Sequence, residues 1–326
     1  MLDYLEEDLE MVYNNTADCW EAIRHKTLFI TGGTGFFGIW LIMTYIYINR
    51  KLNLNSGAIL LTRNKAKFLS KNPWLAAYDE VTFLEGDLLD FDFIDEPIDY
   101  IIHAATEASV ELNIKQPLVM FDTIVNGTKR VLEFAKLKEV KSFLLTSSGA
   151  VYGQQPPDVE NIKEDYIGAP VSSDPTSMYG EGKRMAELLC SVYHKHYNLP
   201  VKIARCYAFI GPFLPLDSHF AAGNFIKNLI NEEDIIIDGD GSPHRSYMYA
   251  ADLTVWLWTI LLKGENNLPY NVGSEESITI SELAKKIAAN QTKVIIRKPL
   301  SGNFAQRYVP DTSRAADGLK LKTYTK

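Results

Sequence analysis

Short apolar runs recur through the first two thirds of the chain, separated by longer stretches with a helical pattern of apolar and polar residues. The runs predict strands near Leu28–Thr31, Ala58–Thr62, Val81–Leu84, Tyr100–His103, Ser142–Ser147 and Val201–Cys206. The clearest helices between them are Phe36–Arg50, Pro117–Lys138 and Met178–Tyr197, the last stopped by Asn198 and Pro200. Strands alternating with helices predict an α/β fold whose parallel sheet is covered on both faces. From Phe209 onward the alternation weakens, and Gly211-Pro212-Phe213-Leu214-Pro215 marks entry into a smaller, mixed lobe. The expected division is residues 1–207 and 208–326. Prolines at 156, 157, 170 and 175 predict an ordered surface loop from Gly153 to Ser177, of the kind that closes on a substrate.

Composition narrows the classes of function. With 326 residues, 46% of them hydrophobic, the chain can bury a large core. A net charge of −8 argues against nucleic acid as a partner, because a positive stripe is hard to build on such a surface. Cys19, Cys190 and Cys206 are odd in number and lack C-x-x-C spacing, which predicts reduced thiols in the cytoplasm and no metal site. The acidic start, Met1 to Asp8, is no signal peptide and predicts a short helix beside the first strand. The most apolar stretch, Phe36 to Ile48, is too short to span a bilayer, so no membrane partner is expected.

Chemistry concentrates in two motifs. Behind the first strand, Thr31-Gly32-Gly33-Thr34-Gly35-Phe36-Phe37-Gly38 spaces its glycines as G-x-x-G-x-x-G. Gly32 allows a tight turn, Gly35 lets backbone approach a pyrophosphate, and Gly38 lets the next helix pack closely with its N–H groups facing the anion. Farther on, Tyr179 and Lys183 form Y-x-x-x-K, which puts both on one helix face. The Lys183 ammonium is expected to lower the pKa of the Tyr179 phenol and make it a usable acid or base. Ser148, at the end of a hydroxyl-tipped strand, is the third candidate.

Together these motifs, with Ile101-Ile102-His103-Ala104-Ala105, Arg205-Cys206-Tyr207 before Gly211-Pro212, Gly239-Asp240-Gly241 and Arg245 to Asp252, resemble the extended short-chain dehydrogenase/reductase superfamily. The likeness is to its nucleotide-sugar epimerases, dehydratases and reductases, and covers nearly the whole chain. It implies a Rossmann-type doubly wound parallel sheet with a smaller mixed α/β substrate lobe, in which residues 245–262 return to the cofactor domain. It also implies a final amphipathic helix after Asp311-Thr312-Ser313-Arg314, which the remaining pattern does not show, and a homodimer. Gly32, Gly35, Phe36, Phe37, Gly38, Arg63, Asp87, Leu88, Ala104, Ala105, Thr106 and Lys183 are the implied cofactor residues. Arg63 ends the second strand where an NAD-binding chain usually has an acid, which favours NADP(H), with NAD(H) possible. Arg63 could instead stack on adenine or face solvent, and Asp87 could be an ordinary turn aspartate instead of a contact to adenine.

By the same resemblance the substrate is a nucleoside-diphospho-sugar, and hydride passes at its C4. Tyr179 would move the C4 hydroxyl proton, Ser148 would bond the same oxygen, and Lys183 would hold the nicotinamide ribose. Arg245, Arg307 and Asn224 are candidates for the diphosphate side; the arginines could also be surface ion-pair residues, and Asn224 a helix cap. Departures narrow the reaction. The 4,6-dehydratases carry Asp-Glu where this chain has Gly149 and Ala150, and decarboxylases commonly place a glutamate at Ala150. The expected activity is therefore a 4-epimerase or 4-ketoreductase. A dehydratase, which would draw on Glu107, Glu164 or Asp165, a decarboxylase, and a noncatalytic NADP-binding sensor are the alternatives. Ile124 stands where relatives often have asparagine, and Asn126 is the expected substitute for bracing the loop.

Overall fold

Strands that are apolar on both sides have to be sandwiched, and the computed structural model, which describes residues 2–106, 110–217, 220–300 and 305–325, sandwiches them between helices. β1 (Thr27–Thr31), β2 (Gly57–Thr62), β3 (Val81–Glu85), β4 (Tyr100–His103), β5 (Ser142–Ser148) and β6 (Val201–Cys206) pair in parallel. The chain then forms β7 (Phe209–Ile210), β8 (Ile235–Ile237), β9 (His244–Ser246), β10 (Met248–Tyr249) and β11 (Pro269–Val272). β11 rejoins the large sheet, whose order is β11-β6-β5-β4-β1-β2-β3. This is a Rossmann-type doubly wound sheet. β12 (Ser277–Thr279), β13 (Val294–Ile296) and β14 (Arg307–Tyr308) complete the strands, with β9 between β12 and β14, and β13 beside β8.

The helices are α1 (Glu6–Thr16), α2 (Phe36–Lys51), α3 (Lys65–Lys71), α4 (Val110–Lys115), α5 (Pro117–Phe121), α6 (Gly127–Leu137), α7 (Met178–Tyr197), α8 (Ala221–Ile230), α9 (Ala250–Lys263), α10 (Ile280–Ala288) and α11 (Ser313–Leu319). Strand periodicity decides which core each side chain enters. Leu28 and Ile30 of β1 join α2 and α9 in one cluster, whereas Phe29 joins α6 and α7 in the other. Trp40, Trp256 and Trp258 are fully buried on the first face; each large apolar side chain so placed contributes about 1.5–3 kcal/mol. A separate cluster, from Phe225 on α8, Ile235 and Ile237 on β8 and Leu283 on α10, holds the smaller lobe together. Among the described residues no helix is long and apolar enough to cross a membrane.

Several expectations need correction. α1 lies against α9 and α2, outside the layer that covers the sheet, instead of beside β1. Pro269–Val272, read as part of the second lobe, supplies the seventh strand of the large sheet. Residues 313–319 do form a helix, and the tail after it is tied to α9, because the Asp252 carboxylate accepts the N–H groups of Tyr324 and Thr325 at 2.8 and 3.0 Å. The helix expected over Pro117–Lys138 contains a π-helical turn at Asp122–Asn126, between α5 and α6.

Candidate functional site

β1 ends in the glycine turn. Gly32 has φ of +71°, and a Cβ there would stand 2.5 Å from the carbonyl of Ala104 and the nitrogen of Ala105, so the turn presses on the end of β4. Gly38 is equally constrained, with Gly32 O and Gly33 Cα at 2.4 Å from any added Cβ. Gly35 is different: its added Cβ would meet only Gly32 O, at 3.5 Å. Its lack of a side chain therefore keeps clear the space before α2, whose first N–H groups, at Phe36 and Phe37, have no side-chain cap at Gly35. Such a helix start attracts an anion. Beside it the Thr106 hydroxyl is buried with no partner among the described residues. This cradle fits a dinucleotide pyrophosphate.

A buried relay stiffens the cradle. Thr31 Oγ1 lies 2.7 Å from His103 Nδ1, His103 Nε2 lies 3.0 Å from Thr128 Oγ1, and Thr128 donates to Ile124 O at 2.5 Å. Thr31 also accepts from Ala105 N at 3.2 Å. Burial pushes His103 down to about 3, so the ring is neutral and serves as a brace. Nearby, Asp87 Oδ1 accepts from Leu89 N at 3.0 Å, a turn role, and buried Leu88 packs on Gly127. Arg63 follows β2 directly and is exposed.

The catalytic candidates meet where β5 ends over α7. Ser148 is the last residue of β5, and its Oγ accepts from Ala150 N at 3.2 Å. The Tyr179 phenol faces the same hydroxyl, which favours its charged form. One turn on, Lys183 donates from Nζ to Thr146 O at 2.8 Å and stands 6.0 Å from the Tyr179 ring centroid. The expected lowering of the tyrosine does not occur here. Burial pushes Tyr179 up to about 12 and Lys183 down to about 8, because desolvation disfavours both charged forms and outweighs the hydrogen bond from Ser148.

α7 is pinned to the sheet by a buried ionic knot. Glu187 accepts from Ser147 Oγ at 2.5 Å and from Arg205 Nη2 at 2.7 Å, and Arg205 Nη1 donates to Tyr152 OH at 2.7 Å. Tyr152 in turn donates to Asn271 Oδ1 at 2.8 Å. Ile124 packs against Gly182, where an added Cβ would lie 3.4 Å from it, so an apolar residue suits that position. Asn126 does not take over bracing of the loop: it is exposed and donates to Asp122 Oδ1 at 2.9 Å.

Arg245 and Arg307, far apart in sequence, line one cavity of about 410 Å³ with Gly153, Gln155 and Tyr308. β9 and β14 run side by side with Tyr308 opposite Arg245, which is why both guanidinium groups reach it. Arg245 Nη1 donates to His244 O at 2.8 Å and Arg307 Nε to Glu160 O at 3.2 Å. Asn224 sits on α8 and is not among the residues that line this cavity. Tyr308 is the residue that sequence reasoning missed; its only signal was adjacency to Arg307.

The two residues that follow Ser148, Gly149 and Ala150, carry no carboxylate. An added Cβ on Gly149 would stand 2.6 Å from Cζ of Tyr207, so the tyrosine ring fills the space that an acid would need. Glu164 is buried and committed elsewhere, accepting from Asn271 N at 2.9 Å, and Asp165 is exposed. Glu107 lies outside the described residues.

Residues 28–273 match the model of the NAD dependent epimerase/dehydratase family. The chain belongs to that family. Curated relatives within reach include UDP-glucuronic acid decarboxylase 1 of Arabidopsis thaliana, 30% identical over 302 residues that cover 91% of this chain and 66% of that protein. The dTDP-D-glucose 4,6-dehydratase of Dictyostelium discoideum is 32% identical over 274 residues, 80% of this chain and 61% of the relative. The chain thus spans about two thirds of the length of these relatives. Among solved structures, UDP-glucose 4-epimerase of Thermotoga maritima superposes with a TM-score of 0.75 at 22% identity, covering 92% of this chain and 94% of that one. UDP-glucuronic acid 4-epimerase of Bacillus cereus gives 0.77 at 23%, covering 92% and 95%. At that identity these two share the fold.

Proposed function

We propose that this protein is an NAD(P)-dependent enzyme that moves hydride at C4 of a nucleoside-diphospho-sugar, as a 4-epimerase or a 4-ketoreductase. The observation that carries this reading is the Ser148–Tyr179 hydroxyl pair beside Lys183, on a strand end whose next two residues, Gly149 and Ala150, bear no acid. When bound, the nicotinamide supplies the hydride donor or acceptor. Gly32, Gly35 and Gly38, with the start of α2, hold the pyrophosphate. Tyr179 gives its phenolic proton to the C4 oxygen in reduction and takes it back in oxidation, and Ser148 donates to the same oxygen. Lys183 puts a positive charge behind the tyrosine. Arg245 and Arg307 meet the sugar nucleotide's diphosphate, where guanidinium forks suit phosphate oxygens.

The decarboxylase and dehydratase relatives favour a second reading, in which C4 oxidation is followed by loss of carbon dioxide or water. Against elimination stands the Tyr207 ring over Gly149. Arg63 supports a preference for NADP(H), and three buried free thiols fit a cytoplasmic compartment. Exposed apolar residues on α5 and α7 support a homodimer. The test of the reading is Tyr179→Phe, assayed with UDP-glucose, UDP-glucuronic acid, dTDP-glucose and their 4-keto forms. Turnover should fall about 100-fold or more while cofactor affinity stays within a small factor, because the phenol moves a proton and does not hold the dinucleotide. Near wild-type turnover in the variant would refute the catalytic assignment.

A further inference from the structure

Tyr308 has a hydroxyl 3.3 Å from Ser148 Oγ and a ring packed at a tilt against Tyr207, with centroids 4.5 Å apart and planes 37° to each other. The Arg245 guanidinium stands 5.9 Å over that ring. Tyr308 is therefore a fixed aromatic post between the arginine-lined cavity and the catalytic hydroxyls. We propose that Tyr308 is a positioning residue that donates its phenolic proton to Ser148 and thereby aims the Ser148 proton at the reacting oxygen.

The argument is a count of hydrogen-bonding positions. A serine hydroxyl accepts twice and donates once. Ala150 N–H takes one acceptor position on Ser148 Oγ, at 3.2 Å. The Tyr308 phenol lies 3.3 Å from the second, where either oxygen can be the donor, and we give that role to the phenol because Cys206 O, the other acceptor its proton can reach, is farther away at 3.5 Å. On that assignment both acceptor positions are filled and the Ser148 proton is donated outward. On that side stands the Tyr179 phenol, and with a bound sugar the C4 oxygen would take the proton. Remove the Tyr308 hydroxyl, and the Ser148 rotor is free to turn its proton away from that oxygen.

This inference rests on the roles proposed for Ser148 and Tyr179. A double-mutant cycle separates its failure from theirs. Ser148→Ala, Tyr308→Phe and the double variant are assayed for kcat and KM on whichever of UDP-glucose, UDP-glucuronic acid, dTDP-glucose or their 4-keto forms turns over. Phenylalanine keeps the ring on Tyr207, so thermal unfolding should be unchanged. Tyr308→Phe should lower kcat about 3–10-fold with KM little changed, the size of one neutral hydrogen bond. In the Ser148→Ala background the same change should have no further effect. Equal loss in both backgrounds, an unchanged kcat, or an effect confined to KM would each overturn the positioning role. A Ser148→Ala enzyme with full turnover would overturn the proposed chemistry itself, and this inference with it.

Discussion

Lys183 governs how this site answers pH. Its folded-state pKa is pushed down to about 8 by burial, while Tyr179 is pushed up to about 12. In the reductive direction the phenol must carry its proton and the lysine its charge. The first condition holds across the working range, and the second holds only below about 8. For reduction, kcat/KM should thus be level in mildly acidic solution and fall as pH rises through that value. Lys183→Arg keeps its charge far higher, so whatever its residual rate, the fall should shift to higher pH. A profile whose midpoint ignores that substitution would assign the limb to another group. Arg63 makes the other prediction at this scale. If it meets a 2′-phosphate, Arg63→Ala should weaken NADP binding by about 1.5–3 kcal/mol more than NAD binding, measured by titration calorimetry. Equal weakening of both cofactors would leave the arginine as an adenine contact only.

At the scale of elements, α7 does two jobs with two faces. Lys183, Ala186, Glu187 and Cys190 are buried against the sheet, whereas Met185, Leu188 and Val192 are exposed, as are Leu118 and Val119 on the adjoining α5. An apolar stripe shared by two neighbouring helices is the kind of surface that a second copy covers. Leu118→Glu with Leu188→Glu should convert a dimer to a monomer in sedimentation velocity; a wild-type monomer would contradict the assignment. The strands around this helix were legible because each is a near-continuous apolar run, and the glycine turn because its spacing follows one. β11 was not legible. It is four residues long and includes Pro269 and Asn271, the latter polar because its Nδ2 serves Ile162 O and Asp311 O at 2.8 and 2.9 Å. α11 hid for a similar reason, with Ala315 its one buried residue among those described. The π turn at Asp122–Asn126 left no mark in apolar spacing. Ser148, Tyr179 and Lys183 could be read from local motifs, but Tyr308 lies on a two-residue strand, and only the fold brings it to Ser148.

Over the whole molecule, the site is a meeting of distant parts: the turn after β1, the end of β5, the first turns of α7, and the paired strands β9 and β14. Tyr207 and Tyr308 join the last of these to Ser148, and in doing so occupy the ground beside Gly149. On the proposed reading, that crowding is what keeps an acid from position 149 and counts against loss of water. The measurement that tests the account most directly is mass spectrometry and NMR of the products formed from UDP-glucose, UDP-glucuronic acid, dTDP-glucose and their 4-keto forms, with NAD(H) and NADP(H) supplied in turn. The account predicts products altered only at C4, by inversion or by gain of one hydride and one proton, with the rest of the sugar intact. Efficient release of water or carbon dioxide from any of these substrates would contradict it.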